Sequence, residues 1–142
     1  MDEERTGPGD RPRRQRDRCL DALGIGNWDV FLLARRYTLP EQTPLRTLFP
    51  ACRAAGTSII CGGPFNSGIL VRRNLWNYAK APADVVAEAR TLEQVAEAFL
   101  IPLGAAALQF PLANDIVTSV IPGARDEGEL RQILEWCAIP IP

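Results

Sequence analysis

At 142 residues, with 46% hydrophobic and 23% charged residues, the chain has the make-up of one modest globular domain, which excludes a fibre or a disordered polymer. Its formal net charge of -1 leaves no surplus of Lys and Arg with which to draw a nucleic acid or an anionic membrane. There is no histidine and the single lysine is Lys80, so a histidine base, a catalytic triad or a Lys-His pair is excluded for this chain acting alone.

Residues 1–18 mix Arg5, Arg11, Arg13, Arg14, Arg16 and Arg18 with Asp2, Glu3, Glu4, Asp10 and Asp17 around Gly-Pro breaks. Their only strongly apolar residue is Met1, so burial cannot offset the entropy of ordering them, and a disordered tail is expected. Order is expected over residues 19–142, opening with a helix end at Cys19, Leu20, Ala22 and Leu23 that Gly24 and Gly26 terminate. Gly24-Ile25-Gly26 is not a dinucleotide fingerprint, because Asp29 stands at the third glycine position and a strand follows.

Trp28–Ala34, Thr57–Cys61 and Ile116–Ile121 are short apolar runs of strand length, each followed by helical spacing. Leu45, Leu48, Phe49 and Cys52 predict a helix that Gly56 stops. Pro82 opens a second, through Val85, Val86, Ala89, Leu92, Val95, Ala96 and Phe99, with Asp84 and Glu88 at its positive end. A short helix over Ala105–Leu108 breaks at Pro111, and Leu130, Ile133, Leu134 and Cys137 belong to a last helix beginning near Asp126. Strand and helix thus alternate three times, the pattern of a parallel sheet with crossover helices. Three strands cannot close a barrel, and a complete one takes about 250 residues, so open sheet edges are expected. Cys19, Cys52, Cys61 and Cys137 form no C-x-x-C pair and read as reduced thiols, Cys61 as a small hydrophobe in a strand. No stretch approaches the roughly 20 apolar residues of a membrane span, and no signal-peptide core opens the chain. A cytoplasmic protein with neither membrane nor nucleic acid as partner is expected.

Three motifs in order carry a resemblance. Trp28 to Gln42 resembles the sixth strand and following loop of aldo/keto reductases, in the subgroup that oxidises fucose, galactose and related aldoses, or pyridoxal. Cys61-Gly62-Gly63-Pro64-Phe65-Asn66-Ser67-Gly68-Ile69-Leu70 resembles that subgroup's seventh-strand loop, and Val120-Ile121-Pro122-Gly123-Ala124-Arg125 resembles the loop after its eighth strand. The resemblance covers residues 19–142 and implies an α/β fold: a partial (β/α)8 TIM barrel, about its last three strand-helix units.

The residues agree with a ligand site on two of these loops. Ligands of parallel barrels bind at the C-terminal ends of strands. Gly62, Gly63 and Gly68 let backbone approach a ligand, and Asn66 and Ser67 can donate to phosphate oxygens; a tight Gly-Pro turn with capping residues is the bland alternative. Gly123 and Ala124 lead into a helix N-terminus suited to an anion. Arg125 either clasps an adenosine 2'-phosphate or is a plain surface residue. The resemblance implies NADP or NAD as cofactor, held by Gly62, Gly63, Pro64, Asn66, Ser67, Gly68, Leu70, Pro122, Gly123, Ala124, Arg125 and Gln132. Tyr37 either lines the substrate pocket or packs.

Departures accompany the likeness. Gly62 stands where most of the wider family stacks an aromatic residue, Ala34 where it has a glutamine, and Gln132-Ile133 where a Glu-Asn pair is frequent. The family's hydride transfer draws an Asp, a Tyr, a Lys and a His from the first four strands. Here histidine is lacking, Lys80 follows the seventh strand, and neither Tyr37 nor Tyr78 matches the position of the acid. The resemblance therefore implies a fragment of an NAD(P)-dependent oxidoreductase for a sugar or similar carbonyl or hydroxyl substrate, inactive alone. Two alternatives stay open: one half of a split barrel completed by a missing N-terminal half on another polypeptide, and a non-catalytic interaction module using the Arg-rich tail.

Overall fold

A computed structural model describes residues 11–71, 75–76 and 79–142. In chain order it places helix α1 at Arg11–Ile25, strand β1 at Val30–Ala34, helix α2 at Leu48–Ala55 and strand β2 at Ser58–Gly62. A short pair follows, β3 at Leu75–Trp76 and β4 at Ala79–Lys80; then come helices α3 at Ala83–Ala98 and α4 at Leu103–Gln109, strand β5 at Val117–Ile121 and helix α5 at Glu127–Cys137.

The three apolar runs form one sheet in the order β1-β2-β5, with both pairings parallel. Register puts Leu33 beside Cys61 and Cys61 beside Val120, so these side chains share a face. That face is the core: Leu33, Ile59, Cys61 and Val117 are buried with Leu48, Phe49 and Cys52 of α2, while Cys19, Leu20 and Leu23 of α1 pack against them. Burial pushes the Cys61 thiol up to about 12 and Cys52, which lies near Cys19, up to about 11, so both stay protonated and act as small hydrophobes.

The opposite face is differently finished. Val30 and Leu32 of β1 and Ile121 of β5 are exposed, Leu32 at 55%. In register these residues line one side with Ile60 and Gly62, and β1 and β5 are the two edges of the sheet. A face this apolar on strands of a parallel sheet is built for burial.

Local signals explain most boundaries. Gly56 adopts the left-handed conformation (φ 72°) that ends α2, and its N–H bonds back to Cys52 and Arg53. Asp126 caps α5 by accepting from the Glu129 N–H at 2.8 Å. Pro82 precedes α3, which ends one residue before the expected Phe99.

The N-terminus departs from expectation. Residues 1–10 of the expected tail lie outside the described residues, as does Tyr78, but the chain is helical from Arg11 onward. Arg, Gln, Leu and Ala are good helix formers, and Pro12 falls in the first turn, where its missing N–H costs nothing. With Cys19, Leu20 and Leu23 anchored on the core, each further turn adds hydrogen bonds to an existing nucleus. Gly24 sits inside this helix, and the indole N–H of Trp28 donates to the Ala22 carbonyl at 2.8 Å, satisfying one orphan acceptor of its last turn. The β3-β4 pair was likewise absent from the expected elements. Among the described residues no single helix is long and apolar enough to cross a membrane; α3 and the stretch Leu103–Ala113 pass together by composition, but they meet at 98°.

Candidate functional site

Beyond their last residues the strands stay coupled. Arg35 N–H donates to the Gly62 carbonyl at 2.7 Å, and Gly63 N–H donates to the Ile121 carbonyl at 3.0 Å. The chain segments leaving β1, β2 and β5 therefore emerge side by side at the C-terminal edge of the sheet, where parallel α/β folds bind ligands.

The β2 loop is held in an unusual shape. Gly63 (φ 62°), Asn66 (φ 49°), Ser67 (φ 64°) and Gly68 (φ 106°) all have positive φ. At Gly63 the reason for glycine is steric as well: a Cβ there would lie 2.7 Å from Cγ of Arg35, which itself has φ 54°. Asn66 is buried and donates its side-chain amide to Thr38 Oγ1 at 2.6 Å, tying this loop to the one after β1. Its Oδ1 is buried with no hydrogen-bond partner.

This loop, the last turns of α3, the start of α4 and one side of α5 line an open cavity of about 660 Å³. Gly63, Ser67, Gly68, Leu70, Gly123, Arg125 and Gln132 line it, bringing together loops more than fifty residues apart in sequence. Phe65 and Trp136 meet edge to face at 5.7 Å and form part of its apolar wall. Gly104 lets α4 pass under the Trp136 ring, which any larger residue would strike, and Gln109 holds the end of α5 through bonds to the Trp136 and Ile139 carbonyls at 2.7 and 2.8 Å.

Other expected residues fall elsewhere. Gly62 ends β2 and does not line the cavity, nor do Pro64, Asn66, Pro122 and Ala124; Pro64 and Asn66 are buried as loop scaffold. Tyr37, read as either lining the substrate pocket or packing, does not line this cavity. It is only 5% exposed, its ring 4.7 Å from that of Phe49 and 5.1 Å from that of Phe110, so it packs in the core. Arg125 is corrected in part: it lines the cavity but is ion-paired, its Nε and Nη2 donating to Glu129 Oε1 at 3.0 and 2.7 Å while its own N–H donates to Oε2 at 2.9 Å. That pairing raises its pKa above the ordinary arginine value.

Sequence reasoning missed the cavity's acidic side, Glu93 and Glu97 on α3 and Glu129 on α5, and also Arg35, Trp136 and Gly104. The spacing of Arg125 and Glu129, one helical turn apart, is the signal that was there to find. Among the described residues no group of three side chains of metal-binding type converges.

Comparison with known proteins gives the chain's family. The aldo/keto reductase family matches residues 26–142. The chain is 36% identical over 126 residues to a pyridoxal 4-dehydrogenase of Microbacterium luteolum, covering 86% of this chain and 37% of that protein. It is 34% identical over 131 residues to a D-threo-aldose 1-dehydrogenase of a Pseudomonas species, covering 89% of this chain and 40% of that protein. Among solved structures, an aldo-keto reductase of Bacillus halodurans in its holo form superposes with a TM-score of 0.62 at 25% identity, over 89% of this chain and 43% of the other. A glycerol dehydrogenase of Gluconobacter oxydans, at 14% identity and a TM-score of 0.63 over 99% of this chain and 52% of the other, shares the fold. The chain thus spans about two fifths of the curated relatives and about half of the solved ones. Its architecture is that of part of a (β/α)8 barrel.

Proposed function

This chain belongs to the aldo/keto reductase family, and from that premise we propose that it is the cofactor-holding part of a nicotinamide-dependent oxidoreductase acting on an aldose or a related carbonyl or hydroxyl compound. The observation that carries this reading is the cavity lined by Gly63, Ser67 and Gly68 of one loop, Gly123 and Arg125 of another, and Gln132 of α5.

The cavity suits a dinucleotide. Its volume lies within the range typical of small-molecule and cofactor sites. Gly63 and Gly68 keep side chains out of the way of a phosphate. Phe65 and Trp136 offer an apolar wall to a flat base, with the Gln132 amide beside them as donor and acceptor.

When bound, the nicotinamide gives or takes the hydride. The chain's own residues bind and orient it. The proton-transfer step belongs to residues outside these 142, because the chain holds no histidine and Lys80, on β4, does not line the cavity. The exposed face of Val30, Leu32 and Ile121 is where the remaining strands of the barrel would pack. Substrate preference is drawn from the pyridoxal and aldose dehydrogenases that this chain resembles.

A thermal melt of the chain with and without millimolar NAD or NADP tests this reading. Ligand that binds only the folded state, present at about 100 times its dissociation constant, stabilises by about 2.7 kcal/mol and should raise the midpoint by about 5 °C or more. A cooperative melt whose midpoint neither dinucleotide moves would reject the site.

A further inference from the structure

We propose that Asn66 is a positioning residue for the dinucleotide: its side-chain amide, bonded to Thr38, holds the β2 loop in the shape that presents Ser67 and Gly68 to the cavity. This rests on the cavity being a nucleotide site, as argued above. Asn66 itself does not line the cavity, so it acts through the two residues that follow it.

The loop has a reason to relax. Asn66 (φ 49°) and Ser67 (φ 64°) are consecutive non-glycine residues in the left-handed region, where a Cβ crowds the backbone. Such a conformation persists only where the surroundings over-determine it. Gly63 N–H fixes the start of the loop on the Ile121 carbonyl. Beyond it, Asn66 N–H donates to the Gly63 carbonyl at 3.2 Å and Gly68 N–H to the Phe65 carbonyl at 2.9 Å, but these bonds lie within the loop and can travel with it. The bond from Asn66 Nδ2 to Thr38 Oγ1, buried and 2.6 Å long, runs instead to a segment 28 residues earlier.

Thr38 is a fixed anchor. It is fully buried, its backbone N–H and carbonyl are both bonded to Glu41, and Tyr37 beside it is in ring contact with Phe49 and Phe110. The restraint therefore passes from the core through Thr38 and Asn66 to Ser67 and Gly68. Asn66 Oδ1 gains nothing from its burial, for it has no hydrogen-bond partner among the described residues. An apolar residue would have left no orphan acceptor there, so what the amide contributes is the tie to Thr38.

Isothermal titration with NAD of the 142-residue chain and a double-mutant cycle is the test. Thr38→Val keeps the shape of the side chain and removes its bonding oxygen, and Asn66→Gly removes the amide while keeping the left-handed backbone accessible. Each should weaken NAD binding by about tenfold, and the double variant should lose little more than either alone, because both changes break one bond. Thr38→Ser, which keeps the oxygen, should bind NAD to within about threefold of the unaltered chain. If Thr38→Val does not fold, Thr38→Ala takes its place with the same expected loss; if Asn66→Gly does not fold, the contrast between valine and serine at Thr38 decides. A merely structural role would lower the melting midpoint of Thr38→Val and leave its NAD affinity unchanged, and that result overturns the proposal while the nucleotide site stands. Single losses that simply add in the double variant overturn it too. Failure of the unaltered chain to bind NAD overturns the site and the proposal together.

Discussion

Replacing Phe49 with alanine is expected to destabilise the chain by about 3–5 kcal/mol. Phe49 is 2% exposed and lies on α2, the helix that covers the buried face of the sheet. Its ring stands edge to face with Tyr37 at 4.7 Å, and Leu33, Ile59 and Cys61 belong to the same cluster. Truncation removes the transfer energy of the ring and leaves a cavity that short strands and an eight-residue helix can close only in part. Domains are stable by only about 5–15 kcal/mol, and this one leaves an apolar sheet face uncovered, so the loss is a large fraction of the total. Urea unfolding followed by circular dichroism measures it. A change below about 1 kcal/mol would mean that α2 does not pack on the sheet as described.

The second large effect is expected at Gly63, where valine should weaken dinucleotide binding while leaving the sheet formed. Its φ of 62° is open to glycine and strained for a β-branched residue, and the new Cβ would meet the Arg35 side chain. Together these cost about 1–3 kcal/mol, which the loop can relieve only by moving. Gly63 is bonded through its N–H to the Ile121 carbonyl, so that movement separates the two loops whose approach forms the cavity. Affinity for NAD should fall by about tenfold or more in titration, with far-ultraviolet circular dichroism retained. Undiminished affinity would show that the β2 loop does not hold the nucleotide.

Much of the fold was legible because backbone physics is local. The three apolar runs named their strands to within two residues, since parallel strands with two apolar faces read as continuous hydrophobic runs. Gly56 and Asp126 announced a helix end and a helix start by mechanisms that need no tertiary contact. The two loop motifs lie on one cavity in the structure, Gly63, Ser67 and Gly68 from the first and Gly123 and Arg125 from the second.

What was illegible depends on partners distant in sequence. The charge of residues 11–18 argued for a tail, yet the anchorage of Cys19, Leu20 and Leu23 on the core carries a helix back through them. Tyr37 offered a polar tip and an apolar body, and only the positions of Phe49 and Phe110 decide that the body is buried. Asn66 read as a phosphate donor, but Thr38, on a different loop, takes its amide. The acidic wall was hidden for the same reason: Glu93 and Glu97 look like ordinary solvated helix residues until α3 and α5 are found to line the same cavity. Arg125 shows the limit of motif reasoning, because its ion pair with Glu129, four residues later, is visible only in the structure.

The claim on which the functional account turns is that both loops grip the dinucleotide together. Hydrogen exchange of the 142-residue chain, with and without saturating NAD, measures this segment by segment. Slower exchange in Gly63–Val71 and in Ile121–Glu129 on the same binding curve is the predicted result. Exchange unchanged in both segments under conditions where NAD binds would place the nucleotide elsewhere and contradict the account.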